Sequence, residues 1–163
     1  MKIAFIAALI IAAVIAIVVL IGALLPKHHA ATRSAFIKAS PEQVFKLISG
    51  PQDWRTDLKT YAVIDEDGKH FVRETDRQGQ TITYERVEFS PPTLLRSRIA
   101  DKNLPFSGGW TWRIEQQNDG CLVTITEDGE VYNPVFRFVS RFVIGYTGTI
   151  DRYLARLTEV AQK

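Results

Sequence analysis

Cysteine and histidine are nearly missing from this sequence. Cys121 stands alone, so no internal disulfide can form and the redox compartment stays open. The three histidines, His28, His29 and His70, make no Cys/His set at metal-ligand spacing. An excess of charge of one sign is lacking too. Beyond Pro26 there are nineteen basic and eighteen acidic residues, a net of +1. That balance does not suggest nucleic-acid binding, which normally needs a clustered basic face. Repeats and low-complexity tracts are also absent. At 163 residues the length suits one domain.

What the sequence does have is one long apolar run. Ile3–Leu25 is 23 residues without a charged or strongly hydrogen-bonding side chain. As a helix it would extend roughly 34 Å, enough for a hydrocarbon core of about 30 Å. A cleaved signal peptide has a shorter apolar region and a small-residue cleavage site. Here the run exits through Leu24-Leu25-Pro26-Lys27-His28-His29, and Ala30-Ala31 would serve as a site only if the helix ended early. The segment therefore predicts an uncleaved anchor in residues 1–26, a juxtamembrane linker in 27–31 and a soluble domain in 32–163. Lys2 on one side and Lys27, Arg33 and Lys38 on the other do not set the orientation. Adjacent His28 and His29 read as polar juxtamembrane residues, not as a metal pair.

In the soluble part, β-formers from Thr32 to Lys38 lead into Ser40-Pro41-Glu42, an N-cap followed by proline at the first helical position. Gly50-Pro51 ends that helix ahead of Trp54. From Leu58 to Val131 the pattern is β, with runs at Tyr61–Asp65, His70–Asp76, Thr81–Phe89, Leu94–Ala100, Trp110–Gln117 and Leu122–Val131. The connections between them are short, which predicts an antiparallel meander. Asn133-Pro134 then opens a second helix whose apolar residues recur every three or four positions as far as Ala161. One long amphipathic helix is expected there, with a bend near Gly145 or Gly148.

This order of elements is an α+β fold in which a curved antiparallel sheet wraps a long C-terminal helix. Three stretches resemble the START-like or SRPBCC superfamily, the polyketide cyclase/dehydrase and lipid transport proteins, whose fold is the helix-grip. They are Ala39-Ser40-Pro41-Glu42-Gln43-Val44-Phe45 with the following Pro51-Gln52-Asp53-Trp54; Gly109-Trp110-Thr111-Trp112-Arg113-Ile114 with Gly120–Glu127; and the helix after Asn133-Pro134, ending Tyr153-Leu154-Ala155-Arg156-Leu157. Together they span residues 32–161. The resemblance implies a membrane-anchored, bacterial-type member at an inner membrane. It also implies a cavity between sheet and helix that takes an apolar or amphipathic ligand, lipid- or isoprenoid-like. Superfamily members include carriers and enzymes, so a cyclase or dehydrase using the same cavity is the alternative. No His-rich or carboxylate-rich set points to an oxygenase subunit, and neither a metal nor a cofactor is implied.

Residues expected to face such a cavity are Trp54, Tyr61, Tyr84, Trp110, Trp112, Phe138, Phe142 and Tyr146. Ordinary core packing is the competing account of each. Trp110 and Trp112 share one strand face. Glu74, Glu85, Arg96, Arg98, Arg113 and Glu127 could supply a general acid or base, yet alternation in the strands predicts that they point to water. Arg137 and Arg141, four apart on the last helix, could meet lipid phosphates or a ligand carboxylate, and Arg152 and Arg156 repeat the spacing, but both pairs are expected on the solvent side of the helix. Cys121 is expected as a small packed residue.

Overall fold

The structure, a computed structural model, describes residues 2–163. Helix α1 (Lys2–Leu24) leads into strand β1 (His28–Ile37), helix α2 (Pro41–Ser49) and strands β2 (Leu58–Glu66), β3 (Lys69–Asp76), β4 (Thr81–Ser90), β5 (Leu94–Ile99), β6 (Phe106–Gln117) and β7 (Gly120–Val131). Helix α3 (Pro134–Val139), a π-helical turn (Ser140–Ile144) and helix α4 (Gly148–Ala161) complete the chain.

The strands form one antiparallel, open sheet in the order β1-β7-β6-β5-β4-β3-β2. The meander from β2 to β7 follows the sequence, and β1 closes it by pairing with β7 from His28 opposite Glu130 to Ile37 opposite Cys121. Both expected helix starts are capped. The Ser40 side chain accepts a hydrogen bond from the Gln43 amide at 3.2 Å, and Asn133 accepts from the amides of Val135 and Phe136.

The core lies where α2 and α4 meet the β1-β7-β6 half of the sheet. Ile37, Val44, Val123, Ile125, Ile150 and Leu157 are fully enclosed there, with Cys121 among them as a small packed residue. The two helices are tied together by Gln43, whose side-chain amide donates to the Ala161 carbonyl at 3.1 Å and so satisfies an orphan acceptor at the end of α4.

Two expectations are corrected. The single helix from Asn133 to Ala161 is broken, because the π-helical turn ends at Gly145 in a left-handed conformation (φ 77°) that only glycine adopts freely. The three-to-four periodicity runs through the break because both pieces are apolar, each toward a different neighbour: α4 toward the sheet, α3 toward α1. Of the residues expected as a linker, 27–31, all but Lys27 are the start of β1; the His28 ring meets the Asp128 carboxylate, and the His29 ring stacks on Tyr146 at 4.2 Å.

Truncating the enclosed Ile125 to alanine is expected to cost about 3 kcal/mol, and removing the cap with Ser40→Ala about 1 kcal/mol. Chemical denaturation of the full chain in detergent would check both. Equal costs for Ile125→Ala and for Val87→Ala at an exposed position would contradict this placement of the core.

Candidate functional site

Beyond the packed half, the sheet is not filled. A cavity of about 310 Å³ lies between the concave face of β2–β6, the N-terminal part of α4 and the connector carrying Trp54 and Arg55. Its apolar wall is aromatic. Trp110 and Trp112, two apart on β6, stack at 5.8 Å. Tyr153, from α4, sits among them, its ring centroid 5.3 Å from Trp54, 6.0 Å from Trp110 and 6.2 Å from Trp112. Trp54 is itself held by its indole N–H, which donates to the Leu47 carbonyl at 3.1 Å.

The other wall is polar and centres on Arg55. Its Nη1 donates to both carboxylate oxygens of Glu74 at 3.0 Å and to Gln52 Oε1 at 3.2 Å, while Nη2 donates to Asp57 Oδ2 at 2.6 Å. The same guanidinium lies 5.5 Å from the Tyr153 ring centroid. Burial pushes the Glu74 carboxyl above the usual carboxylate range, and Arg55 only partly opposes it. At Asp57 burial works upward as well, but the hydrogen bond and the charge of Arg55 outweigh it and hold that carboxyl low. Burial likewise raises the phenols of Tyr61, Tyr84 and Tyr153, so all three stay protonated donors at neutral pH.

A second guanidinium, Arg86, donates from Nη2 to the Ser49 carbonyl and to the Tyr61 hydroxyl. It has no carboxylate partner among the described residues. Its Nε is buried without an acceptor, the Trp112 indole N–H and the Tyr153 hydroxyl are buried against each other with no other partner, and all three residues border the cavity. Buried polar groups left open are few in native proteins, and three gather around this cavity.

Five of the expected cavity residues, Trp54, Tyr61, Tyr84, Trp110 and Trp112, border this space. Phe138 and Phe142 do not: they pack on each other at 5.0 Å in α3 and the π-helical turn, on the α1 side of the break. Tyr146 is taken up by His29 and by the Arg141 guanidinium, 5.8 Å from its ring. Sequence reasoning misses Arg55, Arg86 and Tyr153 and turns Glu74, Arg152 and Arg156 outward, and all six border the cavity. A faint signal exists in β3 and β4, where Val72 and Glu74, then Tyr84 and Arg86, occupy alternate positions and so share a face. Among the described residues no group of three or more His, Cys, Asp or Glu side chains could hold a metal ion.

A curled sheet gripping a helix above an aromatic and cationic cavity defines a helix-grip, ligand-binding domain. The chain belongs to the polyketide cyclase / dehydrase and lipid transport family, whose model matches residues 28–162. No curated protein sequence matches it. Among solved structures it is similar to a point mutant of norcoclaurine synthase from Thalictrum flavum in complex with a transition-state analogue (12% identity, 83% of this chain and 94% of that chain, TM-score 0.63). It is also similar to the di-domain ARO/CYC BexL of the BE-7585A biosynthetic pathway (12% identity, 89% of this chain and 53% of that chain, TM-score 0.69). A third is an uncharacterized protein from Bacillus thuringiensis (19% identity, 83% and 100%, TM-score 0.64). At these identities the likeness is one of fold.

The two carboxyls of the Arg55 cluster have opposite pH dependences. Raised Glu74 contributes stability that is present below its unfolded value and lost as pH rises through its folded value; lowered Asp57 contributes stability that is lost as pH falls. Glu74→Gln removes the first and keeps the second. Its melting temperature should therefore gain on that of the unsubstituted protein as pH rises from about 4, the ordinary carboxyl range, toward neutrality. A gap that stays constant or widens over that range would contradict the buried placement of Glu74.

Proposed function

We propose that this chain is a membrane-tethered binding domain that takes one small amphipathic molecule into the cavity, with α1 as its anchor. The observation that carries the reading is the cavity wall: all three tryptophans of the chain line it together with buried polar groups left open. The tryptophans and Tyr153 suit a ring or a short isoprenoid-like chain. Arg86, Tyr153 and the Trp112 N–H suit a carbonyl, carboxylate or phenolate oxygen at its end. The volume lies at the lower edge of small-molecule pockets, which favours one ring system or one short chain over a two-chain phospholipid. Family membership supports a ligand-binding role of this kind, and α1 is long and apolar enough to cross a bilayer. Tethering would keep the cavity beside a pool of apolar ligands.

Because no tryptophan lies elsewhere, intrinsic fluorescence reports occupancy directly. Titrating the full chain in nanodiscs with the aromatic anion 1-anilinonaphthalene-8-sulfonate should quench it saturably. Ser97→Phe, which fills the cavity from β5, should abolish the quenching, and Arg86→Met should weaken binding by roughly tenfold, the loss of one charge-assisted hydrogen bond. Unsaturable quenching that survives Ser97→Phe, with no small molecule recovered by native mass spectrometry, would sink the reading.

One observation favours a catalytic variant of it. Glu74 opens on the cavity beside Arg55 and Tyr153, with its carboxyl raised by burial, the kind of environment in which a proton-transferring group is found. In a cyclase or dehydrase Glu74 would move the proton and Tyr153 would polarise the substrate oxygen. A mass change in the recovered ligand that disappears in Glu74→Gln, with binding retained, would decide for it.

A further inference from the structure

The anchor helix is not a free tether. Its C-terminal end is docked on α3 so closely that a Cβ at Gly22 would lie 1.9 Å from the Pro134 carbonyl oxygen, leaving glycine as the residue that fits. Arg137, only 7% exposed, reaches from α3 and donates to the Leu25 carbonyl at 2.7 Å and to the Ala23 carbonyl at 3.4 Å. It thus satisfies acceptors that the end of an apolar helix would leave open, with its charge at the favourable pole of the helix dipole. Arg137 is therefore not on the solvent side, where periodicity puts it.

This joint fixes the depth of α3 and the π-helical turn. Residues 22–25 are where the apolar run ends, so both elements sit at the level at which the span would leave hydrocarbon. Their outward side is apolar. Phe136 is 49% exposed, Phe142 and Ile144 59% each and Val143 72%. Between Pro134 and Ile150 there is no acidic residue, while Arg137 and Arg141 are basic. An apolar face with a cationic flank, continuous with the end of a spanning helix, is the composition of an interfacial membrane element.

We propose that Pro134–Ile144 is a second membrane contact: its face of Phe136, Phe142, Val143 and Ile144 inserts into the headgroup boundary of the bilayer that α1 crosses, and Arg141 meets lipid phosphates. The proposal rests on the reading of α1 as a span. It gives the soluble domain one orientation on the membrane. Gly145–Thr147 then leads directly to Thr149 and Arg152 on the cavity wall, so the N-terminal end of α4 is held beside the lipid.

Single-cysteine labelling tests it on the full chain, since Cys121 is enclosed and does not compete for label. A bimane fluorophore is placed at Leu20→Cys in α1, at Val143→Cys, and at Val63→Cys on the exposed face of β2. Each variant is reconstituted in phosphatidylcholine–phosphatidylglycerol vesicles carrying nitroxide-labelled lipid. Positions 20 and 143 should be quenched severalfold more than position 63. If position 143 matches position 63 while position 20 is quenched, the second contact is refuted and the span stands. If position 20 is unquenched, the span falls and takes the inference with it.

Discussion

Everything at the site stems from a mismatch of lengths. Seven strands at about 4.8 Å spacing make a sheet roughly 29 Å across, whereas the 14 residues of α4 extend about 21 Å. A single helix cannot cover such a sheet. With Ile150, Leu154 and Leu157 committed to the β1-β7-β6 half and α2 wedged beside them, the remaining half has only side chains and the Trp54–Asp57 connector above it. A cavity there is the geometric residue of a good core elsewhere. Its lining is shared with that core, since Ile48, Leu95, Trp112 and Tyr153 belong to the packed cluster and also border the cavity.

The charges on that wall point the same way. A buried ion pair gives little net stability over an apolar pair of the same volume, because desolvating two ions offsets most of their attraction. Arg55 with Glu74 is therefore not explained by stability alone. Its structural effect is to join the connector to β3 and to lay a guanidinium on the Tyr153 ring. The chemical effect is to present a raised carboxyl and a fixed cation to whatever enters. Arg86 differs, for its charge has only neutral acceptors, the Ser49 carbonyl and the Tyr61 hydroxyl. A cation so placed, with a free Nε, favours an anionic or strongly polarised oxygen.

Much of the fold is legible in local chemistry. Ser40-Pro41 and Asn133-Pro134 mark real helix starts, and the β2–β7 meander comes from period-two runs separated by turns. Alternation also places Trp110 and Trp112 together. The same rule fails at Glu74 and Arg86, because alternation says which residues share a face but not which face is wet. Where the inner face borders a cavity, burying a charge requires only a partner, and that partner, Arg55, comes from a connector nineteen residues away that carries no periodicity. The helix break is hidden for a related reason. Phe138 and Phe142 continue the apolar stripe of α4 in sequence while serving a different neighbour in space.

That neighbour changes what α1 means. Seen as sequence, the apolar run is a string holding a domain near a bilayer, and a string would leave the cavity free to face any direction. The Gly22–Pro134 approach and the Arg137 hydrogen bonds replace the string with a joint, and β7 adds to it through the Val131 amide, which donates to the Lys27 carbonyl at 2.8 Å. A rigid joint converts helix direction into domain orientation, so the tilt of α1 in a membrane would set where α4 and the cavity lie relative to the lipid. Under the proposed tethering, a ligand drawn from the bilayer would need no excursion of the whole domain. The short segment through Gly145, with its positive φ, links that joint to the N-terminal end of α4 and so to the cavity wall.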